Sequence, residues 1–387
     1  MELQFARSER SSLGVEWELA LVDSDTGDLR QVAQTLLDAV APVDGSQHPN
    51  IRQELLLNTV ELVTGVAHTT AEAMADLDRS IALVRQITDP LRVELMCAGT
   101  HPFGHWANQK VTNKARYATL IDRTQWWGRQ MLIYGVHVHV GIEDRAKVLP
   151  ILGALLTYYP HLLALSCSSP YWDGRDTAYA SNRALLFQQL PTAGLPFTEI
   201  TQWSQLERYV QDMLRTGVID TFDEVRWDIR PSMQFGTLEM RIFDGITNRT
   251  ELASLVALVH CLVEWLSRRI DDGERLPTIT PWFLSENKWR AARYGLEAIV
   301  ILDESGNEDL VTDSLAGLVE KLAPVAVDLN CSQELAGVLD ITRRGASYQR
   351  QRQVADAHNG SLDYVVEHLV AEFRAGRALP APETGRP

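Results

Sequence analysis

Three pairs of side chains stand two residues apart in stretches that read as strands: Glu16 and Glu18, His137 and His139, and Glu239 and Arg241. Alternation places each pair on one face, because successive strand side chains point to opposite sides of a sheet. Two carboxylates so close on one face repel unless a cation lies between them. Two imidazoles on one face favour a ligand role more than one does. An acid beside a guanidinium suits either an ion pair or the handling of an anionic group. Taken singly, a solvated edge strand would tolerate the two acids, a hydrogen-bonded core would hold either histidine, and a surface pair would account for Glu239 and Arg241.

A further stretch, residues 51–64, sets Glu54 and Glu61 in a run containing Leu55, Leu56, Leu57, Val60, Leu62 and Val63. A carboxylate in so apolar a run needs a cation, a donor or a route to water. Its spacing fits one helix face or two strand segments with a break near Asn58. Collected, the polar faces carry Glu16, Glu18, Glu54, Glu61, His139 and Glu239, with Arg241 beside them. Oxygen-rich donors of this kind suit hard divalent ions, and so many acids without a basic counterpart imply more than one Mg2+ or Mn2+. The chain has neither a G-x-x-x-x-G-K-[ST] loop nor a G-x-G-x-x-G turn, so a bound nucleotide such as ATP must be held by metals and arginines. Metals and guanidinium groups on a sheet suit phosphoryl transfer, which depends on clamping and neutralising oxygen charge.

The elements that must position these residues follow from pattern. Residues 13–22 read as a first strand, with Val15, Trp17 and Leu19 facing a core. In 236–244, Thr237, Glu239, Arg241 and Phe243 share one face, and Leu238, Met240 and Ile242 the other. Asp228 and Arg230 are expected on a common face just upstream. The valines of 136–140 face the core and the histidines do not. Helical spacing covers 69–88, 148–166 with Pro150 in its first turn, 206–216, 250–270, 285–301 with a Ser285 cap, 313–322 and 348–358. The loop 168–177 and the segment reaching Arg183 can hold an arginine over an anion or serve as a structured connection.

Half-polar strands without regular strand-helix alternation predict an α+β fold, a central antiparallel sheet with helices against one side. No repeat or linker divides the chain, so residues 1–375 form one domain and 376–387 a disordered polar tail. The charge of −15 and pI near 5.1 argue against a nucleic-acid binder. No signal peptide or membrane span is evident, and the four scattered cysteines read as reduced thiols, so the cytoplasm is the expected compartment. An exposed sheet edge would allow a homodimer.

The chain resembles the ATP-dependent carboxylate-amine ligases of the type 2 glutamate-cysteine ligase family, within the glutamine synthetase-like superfamily. Ordered motifs carry the resemblance from about Leu13 to Arg352: Gly-Val-Glu-Trp-Glu at 14–18, Gly-Val-His-Val-His-Val-Gly-Ile at 135–142, Ser-Pro-Tyr-Trp-Asp at 169–173, Trp-Asp-Ile-Arg-Pro at 227–231, Gly-Thr-Leu-Glu-Met-Arg at 236–241, Glu-Asn-Lys-Trp at 286–289 and Gly-Ala-Ser-Tyr-Gln-Arg at 345–350. The resemblance implies an open, funnel-like sheet, metal ligands at Glu16, Glu18, Glu54, Glu61, His139 and Glu239, and a γ-phosphate contact at Arg241. Arg183 and Arg293 are further candidates for an anionic substrate or nucleotide group. Glutamate and cysteine are the implied substrates, joined through an acyl phosphate. Where the family often has a third acid this chain has Trp17, which alternation turns away from Glu16 and Glu18. Two other classes stay open: a metal-dependent amidohydrolase, suggested by His137 and His139, and a non-catalytic nucleotide-binding protein.

Overall fold

The structure, a computed structural model, describes residues 3–381. Seven strands form its main sheet: β1 (Leu13–Asp23), β2 (Ile51–Gln53), β3 (Thr59–Val63), β4 (Val93–Met96), β5 (Gly135–Gly141), β6 (Ile229–Ser232) and β7 (Thr237–Asp244). Their order is β2-β3-β1-β5-β7-β6, with β4 also on β1, and every pairing is antiparallel. β5 pairs with Leu13–Trp17 of β1, whereas β4 takes Ala20–Asp23. β1 therefore runs on past the end of β5, and the sheet stays open.

Residues 51–64 resolve into β2 and β3 with a break between them, the two-strand alternative. One face of the sheet is apolar. Val15, Trp17, Leu19, Val136, Val138, Val140, Leu238 and Met240 join a single core with the helices Arg145–Leu155, Tyr159–Ser166 and Arg249–Asp271. Trp17 is 1% exposed, and its Nε1 donates to the Ile246 carbonyl at 3.1 Å. Trp17 therefore leaves the polar face alone.

Three local expectations change. A one-residue irregularity between β5 and β7 sets Val138 opposite Met240 but Val136 opposite Phe243. The extra residue in β7 reverses the alternation beyond it. Phe243 consequently shares the core with Val136 instead of standing beside Glu239 and Arg241. Pro150 lies inside the helix Arg145–Leu155, not in its first turn, and the chain bends on into a short 3₁₀ segment, Leu156–Tyr158, before the next helix. The helix expected to begin near Ser285 begins at Pro281, a residue whose missing N–H costs nothing in a first turn. It ends at Tyr294, and Ile299–Ile301 pairs with Glu308–Leu310 as a separate hairpin.

The four cysteines are free and buried. The helical stretches Arg145–Ser166 and Arg249–Asp271 are long and apolar enough to cross a bilayer, but most of the apolar part of each is buried inside the fold. Of the expected tail, residues 382–387 lie outside the described residues. In the part that is described, the Leu379 N–H donates to Glu372 at 3.1 Å.

Arg350 ties three helices together. Its guanidinium is 3% exposed and meets Glu251 at 2.8 Å and Glu372 at 2.7 Å. Glu372 in turn accepts from Thr247. Removing the cation strands two buried carboxylates, which costs about 3–5 kcal/mol. Arg350→Met is expected to lower the urea midpoint accordingly, as read by far-ultraviolet circular dichroism.

Candidate functional site

The polar face of the sheet collects its ionisable groups by register. Glu18 stands opposite Glu61 across β1 and β3, Glu16 opposite His137 across β1 and β5, and His139 opposite Glu239 across β5 and β7. Three overlapping trios result, each with donor atoms within 4.8 Å of one another: Glu16, His139 and Glu239; Glu16, Glu61 and His137; and Glu18, Glu54 and Glu61. All six acids and imidazoles expected from the sequence converge. Glu54 reaches the group from the link after β2, where the chain leaves the sheet before β3 begins.

His137 is a seventh member. Its Nδ1 lies 2.6 Å from Glu16, and the same-face spacing with His139 was the signal for it. Burial and the nearby Arg241 push His137 down to about 4, so it is neutral at pH 7. Burial alone would raise Glu16, but the hydrogen bond to His137 and the closeness of His139 hold it well below the usual carboxylate range. His139 has its Nδ1 committed to the Thr237 hydroxyl at 2.9 Å. Its buried Nε2 has no hydrogen bond and lies 3.5 Å from Glu16. A ring nitrogen fixed from behind and left unpaired in front suits a metal ligand.

The other end of the cluster is short of positive charge. Burial first, and Glu54 second, push Glu18 up to about 8. Glu54 is also raised by burial, and Glu61 well above its ordinary range by burial and then by Glu16. Carboxylates so placed take up protons or cations. With their crowded oxygens, Glu18, Glu54 and Glu61 could hold a divalent ion, as could the trio around His139.

Glu239 differs from the other acids because both its oxygens are taken. Arg230 donates to it at 2.6 Å and Arg241 pairs with its other oxygen. Burial would raise this carboxyl, but the two guanidinium groups lower it. A cation bound at Glu239 would share that oxygen with Arg241. Arg230 also donates to the carbonyls of Asp223 and Val225, so it serves chiefly to hold Glu239 and the chain before β6. Asp228, expected beside Arg230, instead accepts from Tyr159 and from Lys288 at 2.7 Å. It precedes the first residue of β6, so strand alternation does not govern it.

Arg183 comes in at the end of the cluster, over Gly135, with Nη1 3.3 Å from the Arg241 carbonyl. Arg293 does not join this group. Its guanidinium contacts are the Ala178 carbonyl and the rings of Tyr179 and Tyr294. The remaining helical histidines are engaged elsewhere: His161 with Ser314, His260 with the Ser11 carbonyl and His368 with Glu372. Among the described residues, the later strands supply no further imidazole of the kind an amidohydrolase reading needs.

Comparison with known proteins follows the same lines. The sequence model of glutamate-cysteine ligase family 2 (GCS2) matches residues 12–368. A relative from Arthrobacter sp. (strain FB24), provisionally named glutamate-cysteine ligase 2-1, is 58% identical over 97% of this chain and 99% of its own. Another from Rhodococcus jostii (strain RHA1), provisionally named glutamate-cysteine ligase 2-2, is 60% identical over 96% of this chain and 100% of its own. Among solved structures, the glutamate-cysteine ligase of Francisella tularensis in complex with AMP superposes with a TM-score of 0.69 at 14% identity, covering 98% of this chain and 91% of that one. The bifunctional glutathione synthetase of Pasteurella multocida gives 0.60 at 14% identity, over 94% of this chain and 51% of that one. At such identities the likeness is one of fold.

The raised Glu18 carboxyl has a consequence for stability. The folded protein keeps a proton that the unfolded chain releases near pH 4.5, so folding is favoured below that pH and the advantage is lost as the pH rises towards about 8. In a chelator, thermal midpoints should fall between pH 6 and pH 8. Glu18→Gln should narrow that fall, as measured by melting at both values.

Proposed function

From the premise that this chain belongs to glutamate-cysteine ligase family 2 and is a ligase, we propose that it joins a carboxylate to an amine at the expense of ATP, with glutamate and cysteine as the leading pair and γ-glutamylcysteine as product. The observation that carries this reading is the convergence of five carboxylates and two imidazoles on one sheet face beside Arg241. The reaction would take place in the cytoplasm.

The substrate carboxylate attacks the γ-phosphorus of ATP to give an acyl phosphate and ADP. The amine then attacks the acyl carbon and expels phosphate. Glu16, Glu18, Glu54, Glu61, His139 and Glu239 would hold divalent cations, Mg2+ or Mn2+. Once bound, such ions offset the charge of the phosphate oxygens. The protein's own contribution is orientation and charge. Glu239 aims the Arg241 guanidinium along the polar face, and that guanidinium stabilises negative charge as the phosphoryl group is transferred. His137, bonded to Glu16, fixes that carboxylate. The Thr237 hydroxyl orients His139 in the same way.

The direct test is phosphate release by purified protein with ATP, Mg2+, glutamate and a panel of amines. Cysteine-dependent release, with γ-glutamylcysteine identified by mass, is the expected result, and Glu239→Ala should abolish it. Release with another amine would keep the reaction class and replace the substrate. No release with any acid, even with hydroxylamine present to trap an acyl phosphate, would overturn the reading. Arg241→Ala is expected to lower kcat by about 100- to 1000-fold. Thr237→Val, which leaves every proposed ligand in place, should weaken Mn2+ binding by about 10- to 100-fold in a calorimetric titration.

A further inference from the structure

Arg183 is 3% exposed, yet among the described residues no carboxylate forms an ion pair with it. Its Nη1 donates only to the Arg241 carbonyl, and its buried Nε has no partner. Glu18 and Asp244 lie near enough to feel its charge, but both spend oxygens on other donors. Glu18 accepts from the Gly135 N–H at 2.5 Å, and Asp244 from the Ser168 N–H and from the hydroxyls of Ser169 and Ser181. A guanidinium taken out of water without a paired counter-ion is costly, and a fold that keeps one has a use for it.

The surroundings hold this side chain in one place. Its backbone N–H donates to the Ser169 hydroxyl at 3.1 Å, and that hydroxyl donates to Asp244 at 2.6 Å. Gly135 is the floor under the guanidinium, and a β-carbon there would overlap it. Phe187 is the wall, with its ring centroid 5.5 Å from the Arg183 guanidinium carbon and 5.9 Å from that of Arg241. The Arg241 Nε is also buried without a partner. Both guanidinium groups approach the Phe187 ring, and the planar fork of Arg183 has the geometry to hold a carboxylate through two parallel hydrogen bonds.

We propose that Arg183, laid over Gly135 and set with Arg241 around Phe187, binds the carboxylate that the acid substrate keeps through the reaction, and so selects dicarboxylic amino acids over monocarboxylic ones. This rests on the ligase reading above. For glutamate the group is the α-carboxylate, since the γ-carboxylate is the one activated. Gly135 is then a specificity determinant, because it alone leaves room for the guanidinium.

The test compares the full-length wild type with R183Q, R183K and G135A, using glutamate, 4-aminobutyrate (which keeps the reacting carboxyl and lacks the α-carboxylate) and Mg-ATP. R183Q is expected to raise KM for glutamate by about 10- to 100-fold, leaving KM for Mg-ATP and turnover of 4-aminobutyrate within about twofold of wild type. G135A should do the same by displacing the guanidinium without removing its charge. A rise in KM for Mg-ATP instead would assign Arg183 to phosphate and overturn the proposal, as would unchanged KM values for both. Should R183Q not fold, R183K, which keeps the charge and loses the fork, decides by the same comparison. Failure of the ligase reading looks different, because the wild type itself would then turn over no acid.

Discussion

Glu16, Glu18, Glu54 and Glu61 repel one another on a half-buried face where water screens them poorly, and the rest of the structure is arranged to make that tolerable. The cost of bringing like charges together in a poorly solvated place is met in two ways. At one end, histidines and arginines compensate: Glu16 rests on His137 and His139, and Glu239 on Arg230 and Arg241. At the other, Glu18, Glu54 and Glu61 have too few cations nearby, and their carboxyls are raised. The site is thus polarised along β1, from a compensated end to one that needs added positive charge.

Holding such a face requires a rigid backing. The opposite sides of β1, β5 and β7 are apolar and pack on three buried helices, so no strand can shift by one residue without exposing its valines and burying its acids. Trp17 belongs to this backing. The buried Arg350 network anchors the helices behind it. Stability and chemistry are therefore divided between two faces of the same strands, which lets the polar face carry unfavourable charge without loss of the fold.

Much of this was legible in the sequence. The faces of β1 and β5, the turn of Trp17 into the core and the shared polar faces of Glu16 with Glu18, of His137 with His139 and of Glu239 with Arg241 follow from alternation, which has a period fixed by the backbone of a single strand. Residues outside regular strands were harder. Asp228 lies one position before β6 and turns to Lys288, where no rule of alternation applies. Pro150 and Ser285 shifted because helix ends depend on how neighbouring elements pack as well as on capping signals.

The sequence by itself thus determined which residue types share a face, because that depends only on local geometry. Tertiary structure decided what stands opposite what. The extra residue in β7 that sends Phe243 into the core exists only in relation to β5. The pairing of His137 with Glu16 is a matter of register, and the placing of Arg183 over Gly135 joins residues 48 positions apart through a loop anchored on Asp244. Contacts of that kind are set by long-range packing and by the electrostatic cost of leaving a buried charge alone, and no local period encodes either.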